Sequence, residues 1–110
     1  MYRFIRIAQP RNADHVPAAL QFSTELTAHM NRTYSLSMKA GIEMFGDGHL
    51  HWHYEADSIH QVTEINRRLM MDRAYLALLE KNTNLWVEGS MKDKVVSLFF
   101  PEERRYGIRL

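Results

Sequence analysis

A chain of 110 residues is long enough to bury a hydrophobic core and too short for two domains, so we expect residues 1–110 to form a single domain. Its 14 basic and 13 acidic side chains leave a net charge of +1, which argues against a nucleic-acid or anionic-membrane partner. The absence of cysteine excludes disulfides, thiolate metal ligands and cysteine nucleophiles. With neither a leader pattern nor a long apolar run, we expect a soluble, cytoplasmic protein.

The first quarter of the chain predicts one strand and one helix. Tyr2–Ala8 alternates between apolar and polar residues, which is typical of a strand. Asn12 or Asp14 can cap a helix that runs to about Arg32. The apolar stripe of this helix consists of Val16, Leu20, Leu26 and Met30.

Two strands around a glycine turn predict a hairpin, Leu36–Phe45 followed by His49–Tyr54. A three-residue loop of Gly46, Asp47 and Gly48 would place Glu43 opposite His51, with polar residues facing polar ones. A two-residue loop would reverse the parity and is therefore disfavoured. The polar face then holds Lys39, Glu43, His49, His51 and His53. The apolar face, which should meet the helices, holds Met38, Ala40, Ile42, Met44, Leu50, Trp52 and Tyr54.

The second half of the chain completes the pattern. Asp57 or Ser58 can cap a helix, and Asp72 a shorter one that ends near Lys81. Ile59, Val62, Ile65 and Leu69 lie on one side of the first of these helices. Lys94–Phe100 is the last strand. The order predicts an α+β, ferredoxin-like βαββαβ fold, a four-stranded antiparallel sheet with its helices on one face.

The last strand indicates an interface. Residues 95–100 are almost continuously apolar, which predicts burial on both sides. A monomer would leave one sheet face uncovered, so we expect a second copy to cover it as a homodimer. The alternative is a half-exposed strand in a monomer.

Several short motifs resemble a known group of proteins. They are the Phe-Gly-Asp-Gly turn at 45–48, the Trp-His-Tyr run at 52–54, Asp57-Ser58, Arg67-Arg68, Asp72 with Tyr75, and Gly89-Ser90 followed by Asp93. Together they resemble dimeric α/β-barrel proteins of the NIPSNAP and antibiotic-biosynthesis-monooxygenase-like group. The resemblance covers the C-terminal half, and the first strand and helix agree only in pattern. The asparagine-tryptophan-histidine pattern of the haem-degrading members is not matched, and we expect no cofactor.

The resemblance implies a ferredoxin-like subunit whose sheet packs against that of its partner, with a pocket between sheet and helices. We therefore expect a homodimer that binds or transforms a small, largely apolar organic molecule, as a cofactor-independent oxygenase or isomerase-type enzyme. A non-catalytic structural or ligand-binding dimer is the alternative. A third reading is a metal-binding protein that uses the His-Leu-His-Trp-His strand.

The polar face of the hairpin holds the residues that could perform chemistry. Alternate strand residues lie about 7 Å apart, so at most two of His49, His51 and His53 could share a metal ion, with Glu43 as a third ligand. Lys39 opposes this by repulsion. The favoured role for these histidines is as surface or barrel lining.

A proton-transfer reaction would use the central histidine. His51 is our candidate base, and Glu43 would orient its ring, which makes these two the predicted catalytic residues. Arg67 could bind an anion, but solvated helix surface is the favoured explanation. The predicted ligand-binding residues are His49, His53, Trp52, Tyr54 and Arg67.

Overall fold

The computed structural model describes residues 1–99 as one antiparallel sheet with helices on one face. The strands are β1 (Tyr2–Ala8), β2 (Lys39–Ile42), β3 (Leu50–Ala56) and β4 (Lys92–Ser97), and the helices are α1 (Val16–Tyr34), α2 (Ile59–Leu69) and α3 (Arg73–Lys81). Short 3₁₀ turns precede α1 and follow α3. The strands lie in the order β2-β3-β1-β4, which confirms the predicted fold class.

Side-chain caps start the helical segments where the sequence predicted them. The Asn12 side chain accepts a hydrogen bond from the Asp14 amide at the turn before α1. Ser58 and Asp72 accept amide hydrogen bonds at the starts of α2 and α3. Each cap satisfies an amide that the helix itself leaves unpaired. Ser35 ends α1 in the left-handed conformation.

The helix-covered face of the sheet supplies the core. Phe4 and Ala8 of β1 and four alternate residues of β3 are buried there. Phe22 of α1 packs edge-on against Trp52, with ring centroids 5.8 Å apart. The Trp52 indole N–H donates to the Ser23 hydroxyl at 2.9 Å, so its one polar atom is satisfied inside the core.

The predicted inner stripe of α1 needs one correction. Leu20 is exposed, whereas Ala19, Phe22, Ser23, Leu26 and Met30 form the buried stripe. The helix is therefore rotated about its own axis relative to the prediction, with the ring of Phe22 buried in the core.

The hairpin keeps the predicted faces with a different register. Gly41 lies opposite His51 and Ile42 opposite Leu50, a shift of two residues, so the three-residue loop is wrong. The Glu43 amide donates to the His49 carbonyl at 2.9 Å, which leaves residues 44–48 as the loop. Because strands have a two-residue period, this shift leaves the residues of β2 and β3 on their predicted faces. Met44, which was predicted to meet the helices, lies instead in the loop and is 84 % exposed.

The edge strands differ from the prediction in extent. β2 begins at Lys39, three residues after the predicted start at Leu36. β4 covers Lys92–Ser97, and every one of its residues is exposed. The predicted strand end at Phe100 lies outside the described residues.

Candidate functional site

The predicted site residues of β3 lie on opposite faces of the sheet. Trp52 and Tyr54 point into the core, while His51 and His53 lie half-buried on the face without helices. We call the latter the open face. It carries alternate residues of all four strands: Arg3, Ile5 and Ile7; Lys39 and Gly41; His51, His53 and Glu55; Lys92, Lys94 and Val96. One ligand between sheet and helices therefore cannot touch both sets.

Glu43 pairs with His49 and not with His51. Its carboxylate contacts His49 Nδ1 at 3.0 Å and accepts the His49 amide at 2.8 Å. These hydrogen bonds lower the pKa of Glu43. The predicted orientation of His51 by Glu43 is thus wrong, because the longer loop places Glu43 beside the first histidine of the strand.

The ring of His51 lies on the backbone of β2. A Cβ on Gly41 would come within 2.8 Å of His51 Nε2, so the absence of a side chain at Gly41 makes room for the ring. The rings of His51 and His53 are stacked, with centroids 5.6 Å apart. The ring of His51 therefore packs between a glycine and a second imidazole.

The side chains that the metal hypothesis would use form two separate pairs among the described residues. Glu43 contacts His49, and His51 stacks on His53. Within residues 1–99, no three histidine or carboxylate side chains converge as one ion would require.

Arg67 lies apart from the other predicted residues. It forms an ion pair with Glu64 one turn earlier on α2, and its side chain is 68 % exposed. The solvated-surface explanation accounts for this geometry.

The space between sheet and helices is almost filled. A cavity of about 20 Å³ remains, which we call the interior cavity, and that is room for about one water molecule. Its walls are formed by Phe4, Arg6, Leu26, Met30, Met38, Trp52, Tyr54, Asn66, Leu69 and Tyr75. The hydroxyl of Tyr54 is buried without a hydrogen-bond partner among the described residues. Burial raises the pKa of Tyr54 to about 12.

Arg6 is a polar wall residue that the sequence analysis did not single out. Its guanidinium donates to both carboxylate oxygens of Asp93, at 2.7 and 2.8 Å, and to the Tyr75 hydroxyl at 2.7 Å. The hydrogen bond to Asp93 raises the pKa of Arg6, so this charge is permanent. The sequence contained one indication of this role, because Arg6 occupies an inward-facing position of β1 between the buried Phe4 and Ala8.

A second polar cluster joins the helices. Asp72 accepts the Tyr34 hydroxyl at 2.6 Å and the Tyr75 amide at 3.0 Å, and its carboxylate lies 2.7 Å from His29 Nε2. Burial raises the pKa of Asp72, but these hydrogen bonds outweigh burial and lower it to about 2. The sequence predicted Asp72 as the cap of α3. Its partners in α1 lie about 40 residues earlier in the chain, so no local sequence pattern indicates these contacts.

A larger pocket opens at the edge of the sheet, and we call it the edge pocket. It has a volume of about 320 Å³. Its walls are formed by Arg3, Ser35, Leu36, Ser37, Lys39, His53, Tyr54, Glu55 and Gln61. Of the predicted ligand-binding residues, His53 and Tyr54 are the two that it brings together.

Solved structures with the same architecture identify the fold. A NIPSNAP family protein of unknown function from Agrobacterium tumefaciens is 21 % identical, with a TM-score of 0.72 over 92 % of each chain. An uncharacterised NIPSNAP domain protein from Burkholderia xenovorans is 14 % identical, with a TM-score of 0.74 over 92 % of this chain and 99 % of that one. The chain has the NIPSNAP and antibiotic-biosynthesis-monooxygenase-like fold.

A proposed antibiotic biosynthesis monooxygenase from Deinococcus radiodurans also has this fold. It is 9 % identical, with a TM-score of 0.69 over 92 % of this chain and 95 % of that chain. No family model and no curated protein matches the sequence. Within residues 1–99, none of the helices has the length and apolar character needed to cross a bilayer.

Proposed function

We propose that this protein is a homodimer that binds a small, largely apolar organic molecule between its sheet and its helices. The fold supports the location, since it places a sheet surface with buried aromatic side chains beneath the helices. The walls combine apolar side chains with a few fixed polar groups, which is the usual composition of small-molecule sites.

The unpartnered hydroxyl of Tyr54 is the observation that carries this proposal. A buried hydroxyl without a partner costs about 1–3 kcal/mol. Tyr54 is 2 % exposed, and the Tyr75 hydroxyl, which also lines the cavity, accepts a hydrogen bond from Arg6 and not from Tyr54. A carbonyl or ether oxygen on a bound molecule would accept a hydrogen bond from the Tyr54 hydroxyl and remove that penalty.

The interior cavity must enlarge to admit such a molecule. Two of its walls are Met30 and Met38, whose unbranched side chains can adopt other rotamers without moving the backbone. Leu26 and Leu69 complete the apolar lining around them. The expected ligand is therefore small and flat, with one acceptor atom near Tyr54.

The open face supports the homodimer. Ile5 and Ile7 lie at its centre, and Val96 of β4 is exposed on the same face. Among residues 1–99, β4 pairs with β1 alone, and all of its residues are exposed. A second copy packed on the centre of this face would bury these apolar residues together with His51, while the edge pocket lies beside β2 at the edge of the sheet.

The predicted catalytic pair belongs to the open face in this proposal. His51 and Glu43 could act only on a molecule held between the two copies, because β3 separates them from the interior cavity. The oxygenase or isomerase hypothesis built on these residues thus requires a different ligand position from the one proposed here.

Matched probes test the ligand site. Acetophenone carries a carbonyl oxygen, and isopropylbenzene has nearly the same shape without one. We expect Tyr54→Phe to weaken acetophenone binding about fivefold, the value of one neutral hydrogen bond, and to leave isopropylbenzene unchanged. Isothermal titration calorimetry of both probes measures this. Absence of binding by both probes, or an equal loss for both, would contradict the proposal.

Two neighbouring valines test the dimer. Val96 is 38 % exposed on the open face, and Val95 is 41 % exposed on the helix-covered side. We expect native mass spectrometry to show a dimer for the unmodified protein and for Val95→Glu, and a monomer for Val96→Glu. A monomeric parent protein, or equal behaviour of both variants, would overturn this assignment.

A further inference from the structure

The edge pocket exists because β2 is short. β2 pairs with β3 only from Lys39, opposite His53, to Ile42. Beyond His53, β3 continues to Ala56 with β1 on one side and, within residues 1–99, no strand on the other. The segment from Ser35 to Ser37 borders this gap, together with Gln61 of α2. The pocket therefore lies at the sheet edge and not in the middle of the open face.

The charged groups of this pocket leave an excess of one positive charge. Arg3 and Lys39 are cationic and Glu55 is anionic, so with a neutral His53 the balance is one positive charge. Arg3 and Glu55 neutralise each other through an ion pair of 2.8 Å. Lys39 forms no ion pair within residues 1–99.

Several hydrogen-bond donors at the pocket are unused. Arg3 donates to Glu55 through Nη2, and its Nε is buried without a partner among the described residues. A guanidinium has five N–H groups, so most of those on Arg3 are not bonded to Glu55. The Ser35 and Ser37 hydroxyls line the same space and can also donate.

We infer that the edge pocket binds a small organic carboxylate, at Lys39, His53 and the free nitrogens of Arg3. One negative charge balances the positive excess, whereas a doubly charged group would also be repelled by Glu55. Leu36 and the ring of Tyr54 supply an apolar wall for the rest of the molecule. Tyr54 borders both this site and the interior cavity, but the carboxylate site does not depend on the function proposed for that cavity.

The electrostatic environment of His53 agrees with an anion site. Burial lowers the pKa of His53, and the nearby His51, Arg3 and Lys39 lower it further, while Glu55 raises it. A bound carboxylate would favour the protonated ring. His53 therefore acts as a built-in reporter, because its titration should move when the pocket is filled.

Benzoate and benzamide test the inference at constant ionic strength. They have the same shape, and only benzoate is charged. We expect NMR titration of the full chain to show saturable shifts at His53 with benzoate and a rise in the His53 pKa. Benzamide should bind at least about fivefold more weakly, because it lacks the charge that Lys39 attracts.

Two lysines of the open face provide a variant and its control. Lys39→Gln should weaken benzoate binding about 5- to 10-fold. Lys94→Gln removes the same charge from β4, two strands away from β3's free edge, and should leave binding unchanged. Both lysines are exposed, so we expect both variants to fold.

Three results would overturn the inference. The first is equal binding of benzoate and benzamide, and the second is an equal loss in the two lysine variants. The third is tighter binding of inorganic phosphate than of benzoate, which would assign the pocket to phosphate. None of these results bears on acetophenone binding and its dependence on Tyr54.

Discussion

The two faces of β3 differ completely in environment although their residues alternate along one strand. Trp52 and Tyr54 are 1 % and 2 % exposed, and their rings pack against other aromatic rings. His51 and His53, one position away from them, are half-buried and stack on each other. The helix-covered face therefore contributes most of the folding free energy, and the open face is available for recognition.

The comparison also separates two kinds of polar group. On the helix-covered side, Arg6, Ser23 and Asp72 are each bonded to named partners at 2.6 to 2.9 Å, and the Tyr54 hydroxyl is the exception among the described residues. On the open face, Lys39 has no ion-pair partner among residues 1–99. Satisfied polar groups fix a structure, whereas unsatisfied ones are what a ligand or a second copy can use.

The largest expected effect on stability comes from replacing a side chain of β3 by alanine on the helix-covered face, compared with the same change on the open face. Trp52→Ala removes a fully buried ring and its hydrogen bond to Ser23, and should reduce the free energy of unfolding by about 3–5 kcal/mol. His51→Ala, the adjacent substitution on the open face, should reduce it by less than about 1 kcal/mol. Denaturant unfolding of both variants measures the difference. Similar losses would mean that the two faces contribute alike.

Replacement of Asp72 should have an intermediate effect. Asp72→Ala removes the cap of α3 and the acceptor for Tyr34, and should lower the free energy of unfolding by about 2 kcal/mol.

The same carboxylate should make stability depend on acid pH. Its pKa falls from an ordinary 3.8 to about 2, so its stabilisation is present above pH 4 and is lost as the pH falls toward 2. Thermal melting between pH 2 and 5 should show a shallower slope for Asp72→Asn than for the parent. Parallel curves would place the acid sensitivity elsewhere.

The smallest expected effect is the pH dependence that His53 confers. Because its pKa in the fold lies below the ordinary 6.5, the unfolded chain binds more protons, and stability should decrease as the pH falls below 6.5. His53→Gln should flatten this part of the melting curve, and His60→Gln, on the exposed surface of α2, should not. The buffers must lack carboxylates, since acetate or citrate could occupy the edge pocket.

Local patterns predicted the fold well. Alternation located the strands, and Asn12, Ser58 and Asp72 marked the helical starts. The faces of the hairpin were also right, because parity depends only on hydrophobic alternation. Each of these signals lies within a few residues of the feature it predicts.

The candidate site was predicted less well because it depends on longer-range contacts. The hairpin register differs from the predicted one, and the Glu43 carboxylate accepts a hydrogen bond from the His49 amide, a contact that loop composition does not reveal. The edge pocket depends on where β2 stops, and the role of Arg6 depends on Asp93, which lies 87 residues later. The spacing of residues along the sequence does not show which distant residues come into contact in the fold.

The attachment of β4 has a consequence for how the molecule opens. In the described part of the chain this strand is paired on one side and all of its residues are exposed, so its backbone should exchange with solvent earlier than the rest of the sheet. The two-pronged contact of Arg6 with Asp93 is the one side-chain tether described between β1 and β4. The hydrogen–deuterium exchange rate of the β4 amides should therefore report on the contact between Arg6 and Asp93. High salt or replacement of Asp93 should speed exchange in β4, while the amides of β3 stay protected.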